Sequence, residues 1–163
     1  ALAECWFNDS AKSVVTWAYA DRGDADRMAA AGFLVAPLPA LLDVSHNTSP
    51  QHLLSQVAEQ VEFGMTHTEY SFLQQKVGDV SPMMRFIYQK DILAPSKLGQ
   101  LALQTPDIAC HAEIGGVIGV NVLDNTGDDH VRLVINYSKD VYKEESIRRF
   151  AQLSLQAVEY LSD

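Results

Sequence analysis

The sequence predicts an α/β domain of two layers, a mixed and mostly antiparallel sheet covered by helices. Three observations carry this expectation. Ser13–Ala20 alternates β-branched and aromatic residues, two stretches near 53–61 and 144–161 have the helical period, and apolar runs at 116–123 and 131–137 flank a turn-forming segment. At 163 residues, with 47% hydrophobic and 20% charged, the chain suits one core and lies outside the composition of disordered segments.

Taken in order, Ala1 to Asn8 reads as the end of a helix entered from upstream, which makes the chain a piece of something longer. Val15, Trp17 and Tyr19 then alternate with Val14, Thr16 and Ala18, apolar enough on both faces for an interior strand. Asp21 to Arg27 is a charged loop carrying Gly23, and Gly32 to Leu42 is an apolar run punctuated by Pro37 and Pro39. Proline cannot donate to a ladder, so this second strand belongs at an edge, at a bulge, or leaves the sheet near Pro37.

Asn47-Thr48-Ser49-Pro50 is a helix-start signal, with Ser49 as cap and Pro50 where its missing N–H costs nothing. The helix that follows sets Leu53, Leu54, Val57, Ala58 and Val61 on one face toward a sheet and turns Gln56, Glu59, Gln60 and Glu62 away. Gly64 weakens or ends it, a second short helix is expected over 71–77, and Met84–Gln89 reads as a short strand. Residues 91–107 contain Pro95, Gly99 and Pro106 without a period and read as an extended crossover. Strands at 116–123 and 131–137 should pair antiparallel around the Asn, Gly and Asp residues of 124–129. In the last helix Ile147, Phe150, Ala151, Ser154, Val158 and Leu161 form one stripe, with Glu144 and Glu145 in the first turn.

Charge excludes one class of partner. Twelve Lys and Arg against 21 Asp and Glu give a net charge of −9, unsuited to displacing counterions from nucleic acid. Cys5 and Cys110 fit neither a disulfide framework nor a metal or redox pair, so reduced thiols in a cytoplasmic protein are expected. The most membrane-like run, Met28 to Val44, is broken by Gly32, Pro37, Pro39 and Asp43, and no membrane association is expected.

Three short stretches, in order, carry a family likeness. Ala31-Gly32-Phe33-Leu34-Val35-Ala36-Pro37-Leu38-Pro39 is similar to a Gly-x-Phe-Val-Asn-Thr-Leu-Pro strand, and Asp21-Arg22-Gly23 before it to Gly-Arg-Gly. His67-Thr68-Glu69-Tyr70-Ser71-Phe72 is similar to His-Gln-Asp-Tyr-Pro-Phe, and Asp79 to Phe86 to a shortened Arg-Asp-x-Ser-Arg-x-Pro-Leu-Phe. The tail Leu133 to Tyr142 is similar to a Leu-x-Tyr-x-x-x-Leu-Phe ending. Together these stretches resemble the C-terminal half of a condensation domain of nonribosomal peptide synthetases, a likeness that covers nearly all of residues 1–163 as one subdomain.

The resemblance implies a half-domain of the chloramphenicol-acetyltransferase-like fold, in which two lobes meet in a V. It implies amide or ester formation between thioesters carried on phosphopantetheine arms, with no cofactor bound by this chain itself. Its implied partners are an N-terminal lobe and the donor and acceptor carrier-protein domains. The family's His-His-x-x-x-Asp-Gly motif, which orients or deprotonates the nucleophile, has no counterpart here, so no catalytic residue is expected in this chain. Phe33, Val35, Ala36, Pro37, His67 and Tyr70 are the implied lining of the substrate tunnel, and Arg22, Arg27, Arg148 and Arg149 the carrier-docking candidates. Ala36-Pro37 stands where the family has Asn-Thr and Leu41 where it often has Arg, which implies either a different donor or an inactive domain.

Blander readings stand beside these. His67 at a helix end can bond a free carbonyl, and Arg148 and Arg149 can be the wet face of a terminal helix. Cys110 and His111 are strand neighbours pointing to opposite faces and form no dyad with each other. His46 and His52 lack further ligands at zinc spacing, and no metal is expected. Gly115, Gly116 and Gly119 are misplaced for a dinucleotide loop. Asp124, Asp128 and Asp129 lack the ligand pattern of a calcium site and read as a solvated turn. Two other functions remain open on the sequence: a degenerate docking module without catalysis, and a stand-alone trimeric acyltransferase, which would need a catalytic histidine such as His67 or His111 within the chain.

Overall fold

The computed structural model describes residues 1–20, 25–32, 35–45, 48–68, 84–90, 97–98, 100–102, 117–125 and 130–162. Among them, α1 is Leu2–Asn8, β1 Lys12–Ala20, α2 Ala25–Ala29, β2 Val35–Asp43 and α3 Pro50–Thr66. These are followed by β3 Met84–Lys90, β4 Lys97–Leu98, β5 Leu101–Ala102, β6 Ile118–Asp124, β7 Arg132–Asn136 and α4 Glu144–Ser162. The expected 71–77 helix lies outside the described residues. Two expectations are corrected. The charged loop gives way at Ala25 to the short helix α2, and the 91–107 crossover contains the small antiparallel pair β4 and β5.

Five strands form a mixed sheet in the order β2-β1-β3-β6-β7. β1 is interior, as its two-faced apolar pattern requires, paired antiparallel with β2 from Lys12↔Asp43 to Ala20↔Val35 and parallel with β3 at Val15↔Met84. β3 pairs in parallel with β6, and β6 closes the antiparallel hairpin with β7. The parallel pairs thus occupy the centre and the antiparallel ones the flanks. One face carries Val15, Leu38, Ala40, Leu42, Met84, Ile118 and Val120, all buried, against Leu2, Ala3, Leu53, Ile147, Phe150 and Ala157 of the helices. Phe150, 1% exposed, meets the ring of Phe7 edge-on at 5.7 Å.

β2 takes the edge, and its chemistry explains how an edge strand is tolerated there. Backbone N–H groups alternate sides along a strand, so Pro37, Pro39, Leu41 and Asp43 share the side turned away from β1. Two of these positions have no N–H to leave unpaired. At the other two, Leu41 N–H donates to Gln60 Oε1 at 3.1 Å and Asp43 N–H to Gln56 Oε1 at 3.0 Å. The Gln56 amide nitrogen also donates to the Asp43 carbonyl at 3.2 Å.

This corrects the expected facing of α3 in part: Glu59 and Glu62 are turned away as expected, but the glutamines are not. Gln56 and Gln60 face the sheet because free strand amides need acceptors more than exposed methyls need cover. Leu53 still enters the core, while Leu54, Val57 and Ala58 are left exposed. Ser49 caps α3 by accepting from the His52 N–H at 3.3 Å, as its sequence signal predicts. On α4 the expected stripe is buried at Ile147 and Phe150, but Val158 is 65% exposed and Ala157 is buried instead.

Candidate functional site

The end of α3 crosses β1 and β2 beside Leu38 of the first signature stretch. Gly64 does not end the helix, which continues to Thr66; it allows a close approach. A Cβ there would stand 3.2 Å from Trp17 Cζ2 and 3.4 Å from Leu38 Cδ1, so the helix backbone lies directly on the indole. Trp17 also meets Tyr19 edge-on at 5.8 Å, and its indole Nε1–H is buried without an acceptor among the described residues. Sequence reasoning treated Trp17 as strand filler. The available signal was a polar-tipped aromatic in an otherwise apolar run.

His67 closes α3. Its backbone N–H reaches the Gly64 carbonyl at 3.2 Å. Its Nδ1 lies 2.8 Å from the Phe63 carbonyl and 2.9 Å from Thr66 Oγ1, and its ring stacks on Phe63 at 4.2 Å. One ring nitrogen is therefore engaged in finishing the helix.

The remaining tunnel candidates divide between the two faces of the sheet. Ala36 pairs with Tyr19 and shares the helix-covered face with Trp17 and Leu38. Val35 and Pro37 alternate with it onto the opposite face, where their neighbours on β1 are Ala20 and Ala18. On that face the strands also bring Thr16, Arg85, Gly119 and Asn136 into one row, and Pro37, Ala18, Ile87, Asn121 and Val134 into the next. These are small or mixed-polarity residues, and among the described residues no helix covers them. Phe33 and Tyr70 lie outside the described residues.

Of the docking candidates, Arg22 lies outside the described residues and Arg27 falls in α2. Arg148 and Arg149 are exposed on α4, and the Arg148 guanidinium pairs with Glu144 at 2.6 Å one turn earlier.

The other titratable groups are structural in setting. Cys5 is buried, and loss of solvent pushes its thiol up to about 11, which leaves it protonated and un-nucleophilic at neutral pH. Glu4 is buried on the same helix and accepts from the Ser13 hydroxyl. Desolvation raises its pKa, and the Ser13 hydrogen bond offsets part of that. Asp124 accepts from the Tyr88 hydroxyl at 2.5 Å, tying the ends of β3 and β6 together. His46, Cys110, His111, Gly115, Gly116, Asp128 and Asp129 lie outside the described residues. Among the described ones no cluster of three or more His, Cys, Asp or Glu could hold a metal, and no helix is long and apolar enough to cross a membrane.

Two hollows flank α1. A polar one of about 640 Å³ is lined by Cys5, Asp9, Ser10, Ser45, Thr48 and Tyr160. An apolar groove of about 620 Å³ runs between α3 and α4 over a floor of Met84, Phe86, Val120 and Val122.

No family model matches the sequence, and no curated protein matches it. Solved structures do. The chain superposes on the starter condensation domain of rhizomide synthetase with a TM-score of 0.74 at 18% identity, covering 99% of this chain and 41% of that one. It matches the condensation domain of the monacolin K polyketide synthase at 0.72 and 18% identity, covering 99% and 38%. It matches the epimerization domain from the third module of tyrocidine synthetase B at 0.69 and 14% identity, covering 98% and 39%. The chain therefore spans about two fifths of the structures it matches. Its five-stranded mixed sheet with helices packed on one face is the fold of half a condensation domain.

Proposed function

We propose that this chain is the C-terminal lobe of a condensation domain that joins acyl or aminoacyl thioesters on phosphopantetheinyl carrier proteins by amide or ester formation. The observation that carries this reading is the superposition of 99% of the chain on about two fifths of a condensation domain, together with the signature-like stretches in their expected order. In this reading the lobe supplies one wall of the cleft, the crossover between lobes and part of the carrier-docking surface. The proton-handling histidine belongs to the N-terminal lobe. Phosphopantetheine is a tether delivered by the carrier, and the setting is a soluble synthetase in the cytoplasm.

The lining proposed for the tunnel is Phe33, Val35, Ala36, Pro37, His67 and Tyr70. Arg22, Arg27, Arg148 and Arg149 are the proposed contacts for an acidic carrier, with Arg149 freer than Arg148 to turn toward one.

One observation favours a second reading, a condensation-like module kept for docking. Leu41 is 58% exposed on β2 where the family often has Arg, and Ala36-Pro37 replaces an amide and a hydroxyl. The deciding experiment joins the lobe to its N-terminal lobe, presents an acyl-loaded donor carrier and an aminoacyl-loaded acceptor carrier, and follows both by intact-protein mass spectrometry. Transfer of the acyl mass to the acceptor supports the enzyme. Carrier binding without transfer across a panel of loaded donors refutes it and leaves the docking module.

A further inference from the structure

We infer that the polar hollow beside α1 binds an alkylated ammonium group, held between the rings of Trp6 and Tyr160 and the carboxylate of Asp9. None of the residues proposed above for the tunnel or for carrier docking is in its described lining, so the site stands apart from that reading. At about 640 Å³ it has the size of a small-molecule pocket. Trp6 lies in the last turn of α1 and Tyr160 in the last turn of α4, and their rings meet at 68° with centroids 6.2 Å apart. Both rings are exposed. A cation in the angle between them comes within about 6 Å of each centroid, where the negative ring faces attract it. The Tyr160 hydroxyl donates to the Thr48 carbonyl at 3.3 Å, which fixes that wall to the turn before α3.

The charge of the ligand follows from the groups left open. Ser10 Oγ donates to the Lys12 carbonyl at 2.8 Å, Tyr160 to Thr48, and the Ser45 and Thr48 hydroxyls share a hydrogen bond of 2.9 Å. Most of the hydroxyl donors are thus spent inside the protein. Asp9 differs: it is the one charged side chain in the described lining, and its carboxylate has no hydrogen bond or ion pair among the described residues. It is also a poor choice for stability. Asp9 closes α1 in the left-handed conformation, φ 51° and ψ 48°, where Gly or Asn is favoured, and it adds negative charge at the carbonyl end of the helix. A residue that costs the helix on both counts, set in a hollow with aromatic walls, fits a role in binding. An anion would be repelled by Asp9, and a neutral apolar ligand would desolvate the carboxylate without compensation. A bare primary ammonium is strongly hydrated, whereas an alkylated one reaches the ring faces with less water to lose.

The test titrates choline into isotope-labelled protein and follows the indole N–H signals of Trp6 and Trp17 by NMR. The expected result is a saturable shift of the Trp6 signal with Trp17 unmoved, and binding about fivefold or more weaker for the uncharged isostere of choline, which has carbon in place of nitrogen. Asp9→Asn should weaken choline binding about threefold or more at low ionic strength while keeping or raising Tm, because Asn suits the left-handed cap and removes the adverse charge. Tyr160→Leu should weaken it about fivefold. No saturable shift at Trp6, equal binding of the isostere, or undiminished affinity in Asp9→Asn each overturns the inference. Tighter binding of choline than of a trimethyllysine amide assigns the ammonium to a free small molecule and the reverse order to a protein side chain; either order supports the site.

Discussion

Replacing Gln56 and Gln60 by Ala tests whether the β2 edge is held by side chains standing in for a missing strand. Gln56 donates to and accepts from the Asp43 backbone at 3.2 and 3.0 Å, and Gln60 accepts from Leu41 at 3.1 Å, so the double substitution removes three hydrogen bonds. At about 1 kcal/mol net for each bond the gross loss is ~3 kcal/mol. Water can reach these exposed groups and recover part of it, and Ala is the better helix former by a few tenths of a kcal/mol at each site. The expected net cost is therefore about 1–2 kcal/mol, or a Tm lowered by roughly 3–8 °C for a domain of this size. Differential scanning calorimetry on the single and double variants gives the numbers. Because two strand amides are then unpaired at an edge, static light scattering should also show concentration-dependent association that the parent lacks. A double variant with unchanged Tm and no added association would refute the assignment of these glutamines to the edge and return them to the solvent face.

Further outcomes follow from the core and the buried charge. Phe150→Ala empties the best-buried aromatic site and should cost about 3–5 kcal/mol in urea unfolding, enough to populate the unfolded chain at ambient temperature. Glu4 has a folded pKa above its ordinary 4.5, so its contribution is most favourable below pH 4.5 and is lost as pH rises toward the raised value. Glu4→Gln should accordingly be more stable than the parent at pH 7, with the difference closing below pH 4.5, as read by Tm across pH; a variant less stable at pH 7 would mean that the ionised Glu4–Ser13 contact outweighs desolvation. Arg149→Glu should weaken binding of an acidic carrier protein several-fold at low ionic strength, with the effect fading above ~0.5 M salt, as titration calorimetry at two salt concentrations would show. Arg148→Glu should do less, because Glu144 already holds that guanidinium.

Local chemistry made much of this fold legible in the sequence. The Ser49-Pro50 start of α3, the alternation of β1, the β6 and β7 hairpin and the amphipathic α4 all depend on neighbours a few residues apart, and each is where its pattern put it. Pro37 and Pro39 confined their strand to an edge, a bulge or an exit from the sheet for a reason that needs no tertiary context, and the edge is where it lies. What could not be read was decided by partners distant in sequence. The parallel pairing that sets Met84 beside Val15 and Ile118 leaves no local trace. The inward-facing stripe of α3 is shifted to include Gln56 and Gln60 because hydrophobic periodicity does not register the strand amides of Leu41 and Asp43 awaiting acceptors. Gly64 looked like a helix breaker until its contact with Trp17 was visible. Of the candidates proposed to line a tunnel, Ala36 and Pro37 were named together from one motif, and strand alternation sends them to opposite faces.

The two margins of the sheet differ in kind. Along β2, prolines and borrowed amides leave few N–H groups for another strand to grip, whereas among the described residues β7 ends the strand order and carries no proline. Lengthening of this ladder is consequently directional. A segment of extended chain arriving from elsewhere meets more backbone donors beside Arg132–Asn136 than beside β2, so among the described strands growth of the ladder is favoured on that side.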